Sequence, residues 1–327
     1  MRLWQTYHSV TPHFISRIAE TAAMQRLKDV GMNCGCEYTS FPLFTGLEPY
    51  SRFDHSVGCG LIVWHFTDDV KQSVAALLHD IASPTFAHVV DFMNGDHERQ
   101  ESTENLTREF IASSQELQDC LQELELTTDD VADYHRYPVA DNDTPRLSAD
   151  RLEYTLGNVV NFGICSREQV ARWYDDLIVG RNEDDVEELM FRHKATAEEF
   201  GFASLRTSGI YVSDEDRYAM QMLALLIQKH ISRGILTLAD LYTTETEVIR
   251  LLNSDHQAQA DWQRFCSLRT MSPQNAPYSK PLAIPAKKRH INPCVLNLGR
   301  LTAISEPFNQ SLKGFLAQDF ATPISGV

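Results

Sequence analysis

The stretch LLHDIASPTFAHVVD, residues 77–91, decides how this chain is read. Its His79-Asp80 dipeptide ends an apolar helical run opened by Asp68-Asp69, with Val70, Val74, Leu77, Leu78 and Ile81 inward and Pro84 soon after. Consecutive helical side chains diverge by about 100°, so His79 and Asp80 reach one point only at the helix end or flank. Upstream, RFDHSVG (52–58) carries His55 on a helix starting near Ser51; downstream, SADRLEYTLGN (148–158) carries Asp150 on another. Two imidazoles and two carboxylates can converge on one divalent cation, the imidazoles as borderline donors and the carboxylates as hard oxygen donors. Each residue alone also has an ordinary reading: a hydrogen-bonded helix histidine, a surface carboxylate, a solvated helical aspartate.

The rest of the chain is predominantly helical in pattern. Thr11-Pro12 reads as a helix start and Gly31 as its stop, followed by a Gly-, Cys- and Pro-containing connection over 32–50. Residues 97–112, 114–125, 147–162, 166–178 and 214–233 also read as helices, with short strands expected near 176–180, 209–212 and 282–296. Seven of the 13 prolines fall between Pro273 and Pro323, so the tail is irregular. The expected fold is mainly α: a metal-bearing helical core over 1–175, and a mainly helical accessory region with a proline-rich tail over 176–327. No Gly/Ser linker separates the two, so they are expected to share one folded unit.

With 327 residues, 43% hydrophobic and 23% charged, the chain can bury one large core or two smaller ones. No stretch approaches the ~20 apolar residues of a membrane span, and MRLWQTYHSV lacks a secretory signal pattern. Seven scattered cysteines suit reduced thiols in a cytoplasm, and Cys34-Gly35-Cys36 has no second pair to complete a metal site. The net charge of −16 disfavours an extended nucleic acid, and the only basic cluster is Lys287-Lys288-Arg289-His290. A small phosphorylated ligand remains compatible, because a cation and a few arginines can outweigh the mean field within a cleft.

In order and spacing, RFDHSVG, LLHDIASPTFAHVVD, HERQES (97–102) and SADRLEYTLGN resemble the HD-domain metal-dependent phosphohydrolases. The nearest likeness is to the deoxynucleoside triphosphate triphosphohydrolase branch. It runs from MQRLKDVG (24–31) to DRLEYTLGNVVNFGI (150–164), with weaker echoes in LTLADLYTTETEVIRLL (236–252) and KKRHINP (287–293). The resemblance implies His55, His79, Asp80 and Asp150 as ligands of one divalent metal ion per chain, with iron, manganese, nickel, zinc and magnesium all open. It places His88, Asp91 and His97 at catalytic positions and Tyr154 at a substrate contact. Arg52, Ser83 and Asn158 join Tyr154 as candidate substrate-binding residues. The ordinary alternatives are a packed histidine for His88, a polar helix start for His97, a helix cap for Arg52 and a core residue for Tyr154.

The departures from the branch matter. Ser83 stands where an imidazole is usual and can carry neither proton nor positive charge at neutral pH. Glu153 replaces an aspartate, and Gly157-Asn158 stands where Arg-Asp is usual, removing a carboxylate contact to a sugar hydroxyl. The expected activity is therefore divergent: hydrolysis of a small phosphate ester or anhydride, foremost a nucleotide. A phosphodiesterase or nucleotide monophosphatase is the alternative among enzymes, and a nucleotide-sensing protein without turnover the alternative among binding proteins. A homo-oligomer is compatible with the sequence.

Overall fold

The computed structural model describes residues 3–95, 106–272, 281–320 and 322–327. The fold is mainly α, and its centre is the helix Arg52–Thr67, buried continuously from Arg52 to Val63. Ser51 caps it, its Oγ accepting from the Asp54 amide, and Asp68 ends it in the left-handed region at φ 52°. Asp69 then caps Val70–Leu78 by accepting from the Gln72 amide. The two helices approach closely at Gly60, where a Cβ would lie 3.1 Å from the Leu77 Cβ. There the Ser73 hydroxyl donates to the Gly60 carbonyl at 2.9 Å. This crossing sets His79 beside His55.

The third helix of the site, Ala149–Asn161, is capped by Ser148 and lies against the Arg52–Thr67 helix. Two glycines allow the approach: a Cβ on Gly58 would meet Glu153 at 2.6 Å, and one on Gly157 would meet the Tyr50 hydroxyl at 2.7 Å. One apolar cluster surrounds these helices, including Leu61, Leu77, Leu152 and Phe200. A second gathers Phe41, Phe44, Phe86 and Phe92 around the helix Asp214–Ser232 and the helices Glu245–Asn253 and His256–Cys266.

A small sheet joins Leu177–Arg181 to Glu187–Phe191 in antiparallel register, with Leu177 opposite Phe191. Cys294–Val295 adds in parallel, and Gly299–Arg300 completes the four-stranded order. The buried Glu188 carboxylate, held by Arg300 at 2.6 Å, also accepts the Leu147 amide and so ties this sheet to the start of the Asp150 helix.

Several sequence expectations are corrected. The helix expected from Thr11-Pro12 to Gly31 divides into His13–Ala19 and Ala22–Arg26, because Thr21 turns extended (ψ 146°) and donates its hydroxyl to the Ile18 carbonyl. The strand expected near 209–212 is the end of a 17-residue helix, Lys194–Ile210, with Thr207 and Ser208 hydroxyls donating back to the Ser204 carbonyl. Within 282–296 only Cys294–Val295 forms a strand, with a single bridge from Leu282 to Ile324. All seven cysteines are free. Among the described residues no helix is long and apolar enough to cross a membrane.

Candidate metal centre

Three helices bring four of the expected residues to one point. His55 Nε2 lies 3.0 Å from Asp150 Oδ1 and 3.8 Å from Asp80 Oδ2. His79 Nε2 lies 3.5 Å from Asp80 Oδ2 and 3.7 Å from Asp150 Oδ1. The ring tautomers follow from the other nitrogens. His79 Nδ1 can only donate to the Ala76 carbonyl, at 2.7 Å, and His55 Nδ1 faces Glu153 Oε2 at 2.7 Å. Both Nε2 lone pairs therefore turn inward towards two carboxylates. Imidazole and carboxylate acceptors facing each other at 3.0–3.8 Å repel unless a proton or a cation lies among them, and two imidazoles with two carboxylates suit a divalent ion. The donor set fits the metal that the resemblance implies.

The surroundings support that set. Glu153 also accepts from the Tyr50 hydroxyl and, at 3.2 Å, from Tyr7, so its carboxylate is fixed as it holds His55. Burial opposes a charge on His55, yet the Asp150 and Glu153 carboxylates hold its pKa well above the ordinary histidine range, so that without a cation a proton takes the place between Nε2 and Asp150. Burial likewise opposes the Asp80 charge, but Arg52, His79 and His55 draw its pKa far below the usual carboxylate range. Arg52 Nη1 donates to Asp80 Oδ2 at 2.8 Å and the Ser83 hydroxyl to Asp80 Oδ1 at 2.9 Å. Ser83 thus serves the Asp80 carboxylate.

Sequence reasoning passed over Cys59, one turn from His55, although its Sγ and donor atoms of His55, His79 and Asp150 lie within 4.8 Å of one another. The sulfur sits 3.7 and 3.8 Å from the two His55 nitrogens, beside the ring rather than beyond Nε2, and burial pushes its pKa up to about 12. A thiol so strongly protonated is a poorer donor than Asp80, which we retain as the fourth.

The centre opens into a cavity of about 680 Å³. Asp150, Tyr154, Asn158 and Phe162 all line it, one helical turn apart along one helix face, so this stripe runs about 18 Å outward from the donors. Arg52, Ser83 and His88 line it as well. Phe86 and Ala87, both left-handed at φ 58° and 42°, deliver His88 to the cavity, and the Phe86 amide is held by Glu245 Oε1 at 3.2 Å. His88 Nδ1 bonds the buried Asp91 at 2.9 Å, and Arg289 donates to His88 Nε2 at 3.1 Å. Burial, with Arg289 and Arg52 nearby, lowers the His88 pKa to about 4 despite the Asp91 bond. The outer nitrogen of the ring is thus engaged by Arg289. His97 lies outside the described residues.

Arg289, Tyr211 and Asp216 were not singled out as site residues, yet all three line the cavity. The Lys287–His290 basic cluster was the available signal for Arg289. Nothing local marks Asp216, whose Ser213-x-x-Asp216 spacing reads simply as a helix start.

No protein-family model matches the chain. It is 25% identical over 244 residues to the uncharacterized protein YdhJ of Bacillus subtilis, covering 73% of this chain and 71% of that one. It is 27% identical over 169 residues to the metal-dependent phosphohydrolase cns2 of Cordyceps militaris, covering 51% of this chain and 47% of that protein, about half its length. Among solved structures, a phosphohydrolase from Bacteroides thetaiotaomicron shares the fold with a TM-score of 0.66 at 14% identity, over 97% of this chain and 96% of that one. A hypothetical protein from Aquifex aeolicus does so with a TM-score of 0.65 at 17% identity, over 91% and 89%. One relative and one solved structure are thus described as phosphohydrolases, and the chain shares the fold of the latter.

Proposed function

We propose that the protein is a metal-dependent phosphohydrolase acting on a small phosphate ester or anhydride, foremost a nucleotide. The observation that carries the reading is the convergence of His55, His79, Asp80 and Asp150 at one end of a cavity that also holds Arg289 and His88. His55 and His79 would hold the ion through Nε2, and Asp80 and Asp150 through carboxylate oxygens. A bound divalent ion supplies an acidified water and polarises a phosphoryl oxygen.

The chain's own groups do the rest. Arg289 binds the incoming phosphate and in doing so releases His88 Nε2. With its cationic neighbour neutralised and Asp91 still on Nδ1, His88 gains basicity and handles a proton at the leaving oxygen. Arg52 keeps Asp80 ionised. The acidic chain excludes extended polyanions while admitting a small one to this basic wall.

Elemental analysis of purified protein, followed by a phosphate-release screen over nucleotides, tests the reading. About one divalent ion per chain and release of phosphate are expected, with metal lost in Asp80→Ala. Full metal occupancy in a folded Asp80→Ala variant, or no release from any nucleotide at full loading, would overturn it. A second reading, nucleotide sensing without turnover, is favoured by one observation: the hydroxyl of Ser83, which stands where the resembled branch carries an imidazole, is engaged by Asp80.

A further inference from the structure

Beside the metal donors stand a histidine and an aspartate with no part in the proposed chemistry. His135 and Asp141 line the cavity together with His79 and Asp150. Two tethers fix their place at its donor end. The helical turn Tyr134–Arg136 sets the Tyr134 ring against that of His79, with centroids 5.0 Å apart, and the His135 ring lies against Tyr134 at 4.3 Å. A few residues on, the Val139 and Ala140 carbonyls accept the amides of Ala149 and Asp150 at 2.8 and 3.2 Å. The segment from Tyr134 to Asp141 therefore runs from one donor to another, and His135 is one ring removed from His79.

The pair is built to orient an imidazole. Asp141 is 6% exposed; its Oδ1 accepts from the Ser148 hydroxyl at 3.0 Å and lies 3.1 Å from Arg151 Nη2. Arg151 is itself fixed, donating to the Arg146 carbonyl at 2.7 Å and to Asn142 Oδ1 at 2.6 Å. The second oxygen, Oδ2, lies 2.9 Å from His135 Nδ1. A carboxylate paired with a guanidinium accepts rather than donates, so Nδ1 carries the hydrogen of this bond. That edge of the ring is anchored against a buried group while 49% of the side chain is exposed, so the Nε2 edge is the one presented to the cavity. A second pairing of this kind, His193 Nδ1 on Asp176, does not line the cavity. Place, and not pairing alone, distinguishes His135.

Resting on the phosphohydrolase reading for the donor end, we propose that His135 contacts the phosphate of the bound ligand, through a hydrogen bond between Nε2 and a phosphoryl oxygen, and that Asp141 is its positioning residue. The bond forms whichever partner brings the proton: an imidazolium donates to an anionic oxygen, and a neutral ring accepts from a protonated one. Asp141 holds the ring in the orientation that presents Nε2 and favours positive charge on it as the phosphate approaches.

Calorimetric titration of the full-length protein, as purified and with its metal content measured, with inorganic phosphate at pH 7 tests this without requiring turnover. His135→Ala is expected to bind phosphate about 10–100-fold more weakly, the effect of one charged hydrogen bond, at unchanged metal content and thermal melting. His135→Gln, whose amide nitrogen can donate from near the Nε2 position, should recover part of the loss. Asp141→Asn should weaken binding in the wild type and add nothing in the His135→Ala background, because it acts through the ring. His193→Ala, the same chemistry outside the cavity, should bind as the wild type does. No phosphate binding by the wild type, an affinity of His135→Ala within about twofold of the wild type, a loss that follows metal content, or an equal loss in His193→Ala would overturn the assignment. So would an undiminished effect of Asp141→Asn in the His135→Ala background. Hydrolysis of p-nitrophenyl phosphate reports on the phosphohydrolase reading separately. Its absence beside a phosphate affinity that depends on His135 would reject that reading alone.

Discussion

Replacing Glu153 with glutamine isolates the charge behind His55 from the geometry it maintains. Glu153 receives three buried hydrogen bonds, from His55 Nδ1 at 2.7 Å, from Tyr50 and from Tyr7 at 3.2 Å. An amide oxygen at the Oε2 position still accepts from His55 and Tyr50, and the amide nitrogen can donate to Tyr7, whose hydroxyl rotates to accept. What disappears is one negative charge against the His55 ring. Removing such a partner of a metal-binding histidine costs about 10–100-fold in metal affinity. With the hydrogen bonds kept, the lower end is expected, about tenfold or about 1.4 kcal/mol. Competition of Zn²⁺ between the protein and a chromogenic chelator measures this, and metal-free thermal melting confirms the fold. Gly58→Ala approaches the same carboxylate sterically, since its Cβ would stand 2.6 Å from Glu153 Cγ and Oε1. Alanine favours a helix over glycine by about 1 kcal/mol, so a metal-affinity loss there reports the displaced carboxylate. Undiminished affinity in folded Glu153→Gln and Gly58→Ala would show that His55 needs no support, and would refute the reasoning.

Other predictions follow from neighbouring groups. His88→Ala should leave metal content unchanged and lower turnover by about 10²–10⁴-fold; equal turnover at matched loading would return His88 to a packing role. Ser83→His should raise kcat/KM for deoxynucleoside triphosphates relative to monophosphates by about one to two decades, a charged hydrogen bond being worth about 1.5–3 kcal/mol; robust triphosphate cleavage by the wild type, unimproved by the change, would contradict it. Burial, with Glu245 beside it, pushes the Glu37 pKa up to about 8, so above about pH 4.5 the folded state keeps a proton that the unfolded chain has released. Stability should fall as pH rises from about 5 to 8, by up to about 1.4 kcal/mol per unit. Denaturant titrations across that range should show a flatter profile in Glu37→Gln, and parallel profiles would argue against the buried acid.

The centre was legible in the sequence because its information is local. Ser51 and Asp69 cap the helices where their side chains predict, and the apolar run over 70–78 fixes the face that brings His79 inward. The helix Lys194–Ile210 was hidden for a physical reason. Its buried face includes Gly201, Ser204, Thr207 and Ser208, small and polar residues whose periodicity carries little hydropathy contrast, and Gly201 is required because Phe308 and Leu301 press against it. The break at Thr21 depends on one side-chain hydrogen bond, which a pattern of apolar spacings does not register.

The outer cavity shows where legibility ends. Asp150, Tyr154, Asn158 and Phe162 stand four residues apart in the sequence, so a common helix face was available from spacing alone. A stripe of aspartate, tyrosine, asparagine and phenylalanine nevertheless has no meaning as a pattern: it is neither apolar nor charged, and it reads as a helix of mixed surface. It becomes a cavity wall only when the Asp214–Ser232 helix and the 286–290 segment close over it, from more than fifty and more than one hundred residues downstream. Arg289 then reaches His88 across 201 positions, and Tyr211 reaches Asn158 across 53. Metal ligands announce themselves because a cation admits few side-chain types at few spacings. A cavity wall is assembled from ordinary residues, and its character resides in which of them the fold brings together across long separations.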